Sequence, residues 1–389
     1  MRQIGIIKGG KFVDKKKVLI YGLYDWCNLG DDLMMYEINK KITNENIIPF
    51  FIRNDDDNYF SFKKKYDKNL FLNKKVKQKF FNKILKYYEL IKLCLKKLDY
   101  DALIFMGGGY INRSIGSGYG RLIYIYILKT IFKFKGKKVY FTGQTVGPIN
   151  NKLEKFIIKK IYNKADVAVR ESKSEAILND LNINNKLVGD DAYLSYSNTS
   201  KKDVVDKFII VNYKDFVGYE NIKSDFENFL IEVYKKTKFK IVLVPFRKGN
   251  KYNEYKIHKC FLKNLTIRGV KAELFETNNI TELNDKFSTC EFVIATAYHA
   301  VVLGLKNNKK VYTGFIGDYY QTKIEGITNF YDSSCYELYN LTNKKSFCKY
   351  LDKIDLYNIE GKNISLKIHN NVLNNWNRIL KEINDEQGK

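Results

Sequence analysis

The chain contains few of the residues that interrupt helices, bind metals or cross-link a fold. Among its 389 residues are only three prolines, two tryptophans and three histidines. The six cysteines are scattered, with no CxxC pair and no histidine cluster beside them, so a zinc site is not expected. Reduced thiols of this kind are typical of a cytosolic protein, and neither a metal nor a cofactor is implied.

Long hydrophobic runs are also missing. The most apolar stretch, Leu122–Leu128, ends at Lys129 and is far too short to span a bilayer. The N-terminal residues carry no hydrophobic signal sequence, because Arg2 and Lys8 flank only a short apolar run. We therefore expect a soluble protein of the cytoplasm.

Positive charge is in excess, with a net charge of +25 at neutral pH. Much of the lysine is spread along the chain and implies nothing about partners, but Lys63–Lys97 holds 13 lysines against Asp67 and Glu89. Apolar residues recur at helical spacing in the second half of this stretch, which predicts an amphipathic helix. Such a helix either packs inward under a solvated lysine face, faces an anionic substrate, or makes peripheral contact with the inner face of the membrane. No nucleic-acid motif accompanies the charge, so nucleic acid is not an expected partner.

The length and the 45% hydrophobic content are sufficient for two domains. Strand-like and helical runs alternate along the chain and restart after a polar stretch that lacks apolar periodicity. This alternation predicts an α/β protein with two Rossmann-like domains, 1–195 and 207–362, which face each other across a cleft and are joined by a linker, 196–206. Residues 363–389 carry apolar side chains at helical spacing and are predicted to form a C-terminal helix that packs back on the first domain.

Glycine or a charged residue stands at the end of nearly every predicted strand. The strands are expected at 17–22, 102–106, 138–142, 167–169, 208–211, 241–244, 273–275, 292–295 and 310–312. Ligands of open α/β sheets bind at the carboxyl ends of the strands. There, Gly107–Gly109 is either a tight turn or an anion-binding nest, and Arg170 is either a surface ion pair or an anion clamp. Asp31 or Asp32 is a candidate N-cap of the helix after the first strand.

One histidine follows the buried strand Phe292–Ala295 and precedes a helix-like run. Backbone N–H groups at a helix N-terminus attract anions, and an imidazole at that place can gain or lose a proton near neutral pH. His299 is therefore either a hydrogen-bonded structural residue or a proton donor at a ligand site.

Seven short motifs occur in order along the chain: Asn28-x-Gly30-Asp31, Gly107-Gly108-Gly109, Gly143-Gln144-x-x-Gly147-Pro148, Arg170-Glu171-x-x-Ser174, Asp190, Thr296-x-x-His299-Ala300 and Lys323-x-x-Gly326. In this order and spacing, residues 17–330 resemble the polysaccharide pyruvyl transferase family. The resemblance implies two Rossmann-like domains similar to the GT-B fold. It also implies transfer of a pyruvyl group from phosphoenolpyruvate to a sugar as a ketal, with release of phosphate. The acceptor would be a cell-surface glycan or exopolysaccharide, or its lipid-linked precursor.

The resemblance also suggests roles for individual residues. His299 would protonate the methylene carbon of the donor while a sugar hydroxyl attacks the neighbouring carbon. Arg170 and Lys323 match basic residues of the family and would bind the anionic groups of the donor, whereas Arg247 is a third candidate on position and charge alone. Thr296 and the glycine triplet complete the donor side. The cleft and acceptor side would be lined by Asn28, Gly30, Asp31, Gln144, Glu171 and Asp190.

One position departs from the family pattern. The family carries an arginine two residues before the histidine that helps to hold the donor, and this chain has Ala297 there. Either Arg247 or Lys323 supplies the missing charge, or the donor is no longer phosphoenolpyruvate. The alternatives are a GT-B-type glycosyltransferase with a nucleotide-sugar donor, or a catalytically inactive scaffold of a polysaccharide assembly complex. The acceptor sugar and association into a homo-oligomer are left open.

Overall fold

The computed structural model describes residues 6–8, 11–13, 15–22, 28–52, 99–111, 118–149, 151–196, 206–214, 216, 219–247, 253–277, 279–343, 346–354 and 362–385. The lysine-rich stretch Lys63–Lys97 lies outside the described residues, and so do positions 197–205 of the predicted linker. A short antiparallel pair, β1 (Ile6–Lys8) and β2 (Lys11–Val13), precedes two large parallel sheets.

The first parallel sheet is formed by the N-terminal half of the chain. In their order across the sheet, its strands are β4 (Ile48–Ile52), β3 (Lys17–Tyr21), β5 (Ala102–Phe105), β7 (Lys138–Val146), β8 (Asp166–Val169) and β9 (Lys186–Leu187), and β6 (Gly108–Ile111) pairs with the far end of β7. The helices described between these strands are α1 (Leu29–Asn44), α2 (Gly118–Phe134), α3 (Lys152–Tyr162) and α4 (Ser172–Asp180). Every residue of β5 is buried, as expected for a parallel strand covered on both faces.

The second sheet is also parallel throughout. Its strands lie in the order β12 (Ala272–Leu274), β11 (Lys240–Leu243), β10 (Phe208–Asn212), β13 (Phe292–Ala295), β14 (Lys310–Phe315) and β15 (Tyr336–Asn340). The helices of this half are α5 (Glu220–Thr237), α6 (Glu254–Ile267), α7 (Ile280–Thr289), α8 (Tyr298–Lys306), α9 (Asp318–Thr328) and α10 (Ser346–Lys353). The strand order reverses between β10 and β13, and open α/β sheets bind ligands at such a switch point.

Asparagine side chains begin several of the helices. Asn28, Asn151, Asn253 and Asn279 each accept a hydrogen bond from a backbone N–H of the first helical turn. The expectation that an aspartate caps α1 is therefore wrong, because the two aspartates of this segment lie inside its first turn.

Six strands were not predicted from the sequence: β1, β2, β4, β6, β9 and β15. Of these, β4, β9 and β15 lie at the edges of the two large sheets. β4 contains Pro49, which cannot donate a backbone hydrogen bond and is tolerated in a strand mainly at an edge. β15 is only partly buried, so it lacks the continuous apolar run that marks the central strands.

The two sheets are joined by a continuous hydrophobic core. Leu33 of α1 and Val301 of α8 belong to it, together with Trp376 of the last helix, α11 (Lys362–Asn384). The indole N–H of Trp376 donates to Asp191 Oδ1 at 2.8 Å, so α11 contacts the first half of the chain although it follows the second. Within the described residues, none of the helices combines the length and the hydropathy needed to cross a bilayer.

Candidate active site

The switch point of the second sheet is held together by hydrogen bonds between two strand ends. Asn212 ends β10, and its side-chain oxygen accepts the N–H of Ala297 at 3.0 Å. Two residues later, the backbone N–H of Lys214 donates to Thr296 Oγ1 at 2.7 Å. These bonds fix the carboxyl ends of β10 and β13 next to each other. They also position the first turn of α8, which contains His299.

The start of α1, from the first domain, lies against this switch point. Asn28 forms an isolated antiparallel bridge with Arg247, which follows β11 of the second domain. Gly30 packs on His299 so closely that a Cβ at position 30 would lie 2.0 Å from the imidazole Nδ1. Glycine is therefore required here by close approach, and His299 lies where the two domains meet.

The imidazole of His299 is nearly enclosed, with 7% of the residue exposed. Burial lowers its pKa to about 3, against the opposing effect of the Asp190 carboxylate. The cations Arg170, Lys323 and Arg247 lower the pKa further. The ring is thus neutral at pH 7, so the expected imidazolium is not the resting state of this arrangement. Its Nε2 has no hydrogen-bond partner in the part of the chain that is described.

Three basic side chains, Lys214, Arg247 and Lys323, lie near one another and form what we call the cationic cluster. Lys323 belongs to α9, and its Nζ lies 4.7 Å from the centre of the Tyr298 ring. Burial and the neighbouring arginines lower the pKa of Lys323 to about 7. Burial, with Arg247 and Lys323, also lowers the pKa of Lys214 far below its usual value. Like charges depress one another's pKa in this way, so the cluster is suited to an anionic ligand.

Arg170 has a different environment from the cationic cluster. Its guanidinium is fully buried and donates to Asp190 at 2.5 Å and to Glu171 at 3.0 Å. Burial acts to lower its pKa, but the Tyr298 ring at 4.1 Å and the two carboxylates outweigh this effect, so the net shift is upward. Arg170 was the first choice for binding the donor, and the structure instead places it in an already neutralised network. Only Nη2 lacks a hydrogen-bond partner among the described residues.

The glycine triplet contributes to the site at one position. The N–H of Gly107 donates to Asp191 Oδ2 at 2.9 Å and is therefore already occupied. Gly108 begins β6 with a φ of +146°, a backbone conformation that favours glycine. Gly109 lies beside the cationic cluster, since a Cβ there would be 3.5 Å from Lys323 Nζ and 2.8 Å from Tyr319 Oη. The triplet thus leads into β6, and the backbone of β6 at Gly109 lies beside the cationic cluster.

Two of the polar residues predicted along the cleft support the fold of the first domain. The side-chain amide of Gln144 donates to the backbone oxygen of Met106 at 2.7 Å, and the residue is completely buried. Glu171 accepts a hydrogen bond from Ser174 Oγ at 2.8 Å in addition to its contact with Arg170. Both side chains thus make hydrogen bonds within the first domain, and the side-chain oxygen of Gln144 has no partner among the described residues.

Asp31 and Asp190 interact with the ionisable groups of the site, as do Glu171, which acts on Lys323, and Glu254, which acts on Lys214. Burial raises the pKa of Asp31, while Arg247 and Lys323 act to lower it. Burial also acts to raise the pKa of Asp190, but Arg170 outweighs this and holds it below its usual value. A carboxylate near an imidazole stabilises the imidazolium form, and Asp190 therefore favours protonation of His299.

Four residues at the site were not predicted from the sequence: Lys214, Tyr298, Tyr319 and Tyr320. Lys214 comes two residues after a buried strand, and that position was the available signal. Its Nζ donates a hydrogen bond to Tyr320 Oη and lies 3.5 Å from the centre of that ring. The tyrosines were not distinctive, because the chain contains 30 of them.

The other two histidines are bound to backbone groups elsewhere. His258 Nε2 accepts the N–H of Tyr213 at 3.0 Å, and burial lowers its pKa to about 4. His369 Nδ1 lies 2.7 Å from the backbone oxygen of Tyr193. In the described portion of the chain, no group of three or more His, Cys, Asp or Glu side chains is arranged to hold a metal ion.

The sequence matches the model of one protein family, polysaccharide pyruvyl transferase, over residues 28–315. The chain belongs to this family. The match begins at the N-cap of α1, ends with β14 and includes Arg247 and His299, whereas Lys323 lies just beyond it. No curated protein matches the sequence.

Solved structures similar to this family member have the GT-B fold. UDP-GlcNAc 2-epimerase from Neisseria meningitidis bound to UDP-GlcNAc has a TM-score of 0.61 at 12% identity, over 94% of this chain and 100% of its own. S. aureus MnaA in a co-structure with UDP has a TM-score of 0.60 at 11% identity, over 94% and 97% of the two chains. The lipopolysaccharide outer core galactosyltransferase WaaB has a TM-score of 0.52 at 13% identity, over 93% and 99%. At these identities the likeness shows the fold alone.

Proposed function

We propose that the protein transfers a pyruvyl group from phosphoenolpyruvate to two hydroxyl groups of a sugar, forming a ketal and releasing phosphate. The observation that carries this proposal is the meeting of the cationic cluster with His299 at the switch point of the second sheet. A carboxylate and a phosphate on a three-carbon donor match a small site with several cations. The imidazole provides a group that can move a proton there.

The cationic cluster would bind the donor. Lys323 and Lys214 both hold their protons weakly while the site is empty, since burial and neighbouring cations oppose their charge. A bound anion reverses this opposition, so donor binding and protonation of the lysines favour each other. Lys214 is placed to supply the positive charge that Ala297 lacks, because its backbone N–H is hydrogen-bonded to Thr296, next to Ala297. This supports phosphoenolpyruvate as the donor.

His299 would supply the proton for the methylene carbon. The donor's negative charges offset the cations that depress its pKa, and Asp190 favours the imidazolium form. As a sugar oxygen bonds to C2 of the donor, His299 gives its proton to C3 and takes up the proton of the attacking hydroxyl. The bond between C2 and the phosphate oxygen then breaks, and the second hydroxyl attacks C2. Its proton leaves with phosphate, which balances the reaction.

The acceptor proposed from the family is a cell-surface glycan, an exopolysaccharide or its lipid-linked precursor. A reaction that consumes phosphoenolpyruvate is expected in the cytoplasm, and a lipid-linked acceptor would place it at the inner face of the membrane. The acceptor would approach from the side of α1. At the start of this helix, Asn28 pairs with Arg247 and Asp31 interacts with Arg247 and Lys323 of the cationic cluster.

The second candidate is a glycosyltransferase that uses a nucleotide-sugar. It is favoured by one observation, namely that the similar structures of the N. meningitidis epimerase and of S. aureus MnaA contain UDP-GlcNAc and UDP, respectively. The cationic cluster suits a diphosphate as well as a phosphate and a carboxylate. Fold does not decide between these chemistries.

Two measurements distinguish the candidates. In a thermal-shift titration, phosphoenolpyruvate should raise the melting temperature, and a panel of UDP-sugars should not. Phosphate release in the presence of a sugar-lipid extract should then require His299, so His299→Gln should abolish it. His369→Gln is the matched control, because His369 lies on α11, where its ring contacts the backbone oxygen of Tyr193 and the ring of Tyr196. Stabilisation by a UDP-sugar alone would favour the glycosyltransferase, and stabilisation by neither donor would favour an inactive scaffold.

A further inference from the structure

Large hydrophobic side chains are exposed mainly on two neighbouring helices of the first domain. Eight such side chains are exposed in the described part of the chain, and five of them belong to α2 and α3: Ile123, Tyr126, Phe134, Leu153 and Phe156. We call this surface the α2–α3 face. Phe134 is 90% exposed and Phe156 58%. Exposed apolar groups that collect in one place mark an interaction surface, whereas scattered ones do not.

The two helices run side by side in the same direction. Tyr119, near the start of α2, donates a hydrogen bond to Asn151 at the start of α3 at 3.0 Å. Ten residues further along α2, Lys129 Nζ donates to the backbone oxygen of Lys160 at 3.0 Å. Ile123, Tyr126, Leu153 and Phe156 lie between these two hydrogen bonds and therefore belong to neighbouring helix surfaces, and Phe134 follows at the end of α2.

The charge of the α2–α3 face has a single sign. α2 contains no acidic residue, and the one acidic residue of α3, Glu154, is completely buried. Five exposed lysines accompany the apolar side chains: Lys133, Lys152, Lys155, Lys159 and Lys160. Apolar side chains that project from a lysine-rich helix surface are complementary to a bilayer with anionic headgroups, because the lysines meet the phosphates while the apolar groups enter the interface.

The α2–α3 face begins at the carboxyl edge of the first sheet, which borders the site. In a parallel sheet, the helix that follows a strand starts at the strand's carboxyl end. α2 follows β6, whose Gly109 lies beside Lys323, and α3 follows β7. Leu153 and Phe156 lie in the first turns of α3, and they are therefore on the same side of the molecule as the domain junction.

We propose that the α2–α3 face docks on an anionic membrane surface, with Leu153 and Phe156 in the interface and the lysines on the headgroups. Docking in this orientation brings the edge that carries the site toward the bilayer. Access of a lipid-linked acceptor to the site would follow, and only this consequence rests on the proposed function. The docking surface does not include Lys63–Lys97, for which membrane contact was one of three alternatives considered from the sequence.

Vesicle flotation with the full chain tests the proposal. Vesicles of an equal mixture of phosphatidylcholine and phosphatidylglycerol should carry the protein at low salt, and pure phosphatidylcholine vesicles should not. The double variant Leu153→Ser/Phe156→Ser should reduce the partition coefficient about tenfold or more, and Lys155→Gln/Lys159→Gln should reduce it by a similar factor. High salt should weaken binding of the wild type.

Matched controls are available on α6 of the second domain. Ile267 is 73% exposed, and Lys256 and Lys263 are exposed lysines of the same helix. Ile267→Ser and Lys256→Gln/Lys263→Gln change the same residue types and should bind vesicles like the wild type. Circular dichroism and the melting temperature of each variant would show that the fold is retained.

Several outcomes would overturn the proposal. These are no flotation of the wild type at low salt, equal binding to neutral vesicles, or equal losses for the α2–α3 and α6 variants. Unchanged binding of the α2–α3 variants would point to Lys63–Lys97 instead. A wild-type dimer that Leu153→Ser/Phe156→Ser converts to a monomer would assign the face to a second copy.

Phosphate release with a soluble sugar acceptor should be unaffected by the α2–α3 variants. The docking and the proposed reaction therefore fail or succeed independently.

Discussion

At the scale of single residues, the basic side chains near the domain junction differ in the charged groups that surround them. Arg170 is matched by two carboxylates at 2.5 and 3.0 Å, and no part of it is exposed. Burial lowers the pKa values of both lysines of the cationic cluster, and neighbouring cations lower them further. A buried charge that has lost its partner is strongly destabilising. Cations that lie close together repel one another, and a bound anion relieves this repulsion.

Replacing Arg170 should therefore reduce stability far more than replacing a surface arginine with similar partners. We expect Arg170→Met to lower the free energy of unfolding by about 3–5 kcal/mol, because it leaves two buried carboxylates without a cation. Arg378, which pairs with Asp166 at 2.8 Å and is partly exposed, is the matched control. Arg378→Met should lower it by about 1 kcal/mol or less. Urea unfolding measures both values, and equal losses would contradict the distinction.

Lys214 should contribute to donor affinity rather than to stability. Removing a charged contact to a buried anion costs about 2 kcal/mol or more, so Lys214→Met should raise the dissociation constant for phosphoenolpyruvate about 30-fold. Calorimetric titration measures this constant. Lys263→Met on the exposed surface of α6 is the control and should bind the donor like the wild type. An unchanged constant for Lys214→Met would remove Lys214 from the donor site.

At the scale of elements, the site depends on how closely α1 and α8 approach each other. The first turn of α1 meets the imidazole of α8 at Gly30, where no space remains for a Cβ. The β10 and β13 ends are fixed independently by the bonds of Asn212 and Lys214. The position of His299 thus requires one glycine from the first domain and a strand pair from the second.

Alanine at position 30 should disturb both stability and catalysis. Gly30→Ala forces the His299 ring or α1 to move, and such overpacking lowers the free energy of unfolding by about 1–3 kcal/mol. Gly120 is the matched control in α2, because a Cβ there meets nothing within 4 Å. Gly120→Ala should raise stability by about 0.5–1 kcal/mol, as expected for a helical glycine. Thermal and urea unfolding would measure both, and a stabilised Gly30→Ala variant would argue against the close approach.

At the scale of the whole molecule, the electrostatics of the site combine both domains. Lys323 and Arg247 come from the second domain, and Arg170 and Asp31 come from the first. Burial, together with Arg170 and Arg247, lowers the pKa of Lys323 to about 7 against the opposing effect of Asp31. A group with this pKa exchanges its proton near neutral pH, so donor binding is expected to depend on pH.

Affinity for phosphoenolpyruvate should fall as the pH rises above 7. Free Lys323 loses its proton near pH 7, whereas a bound anion favours the ammonium and raises its pKa in the complex. Between these two pKa values binding takes up a proton, so the dissociation constant should rise by up to about tenfold per pH unit. Calorimetry at pH 8 in buffers of different ionisation enthalpy would measure the uptake. Lys323→Arg should show a weaker dependence, since a guanidinium keeps its proton and only Lys214 of the two lysines can still take one up.

The central strands could be predicted from the sequence because β10 and β13 are continuous apolar runs that only a buried parallel strand explains. The edge strands β4 and β15 could not, because an edge tolerates proline and partial exposure. The motif order indicated the family and pointed to His299 and Lys323, whereas Arg247 was chosen on position and charge alone. The same motifs did not reveal that Arg170 is neutralised, since its partners are recognised only when the chain has folded.

The sequence pattern alone thus determined the two α/β domains, the family and the candidate site residues. Hydrophobic periodicity and the residue types at strand ends depend only on residues that are close together in the sequence. Tertiary structure alone decided which of the candidate residues meet at the candidate site. Burial, the approach of Gly30 to His299 and the pairing of charges arise between segments far apart in the chain. Those contacts set the protonation of His299 and Lys323, because a pKa depends on the surroundings of a group and not on its neighbours in sequence.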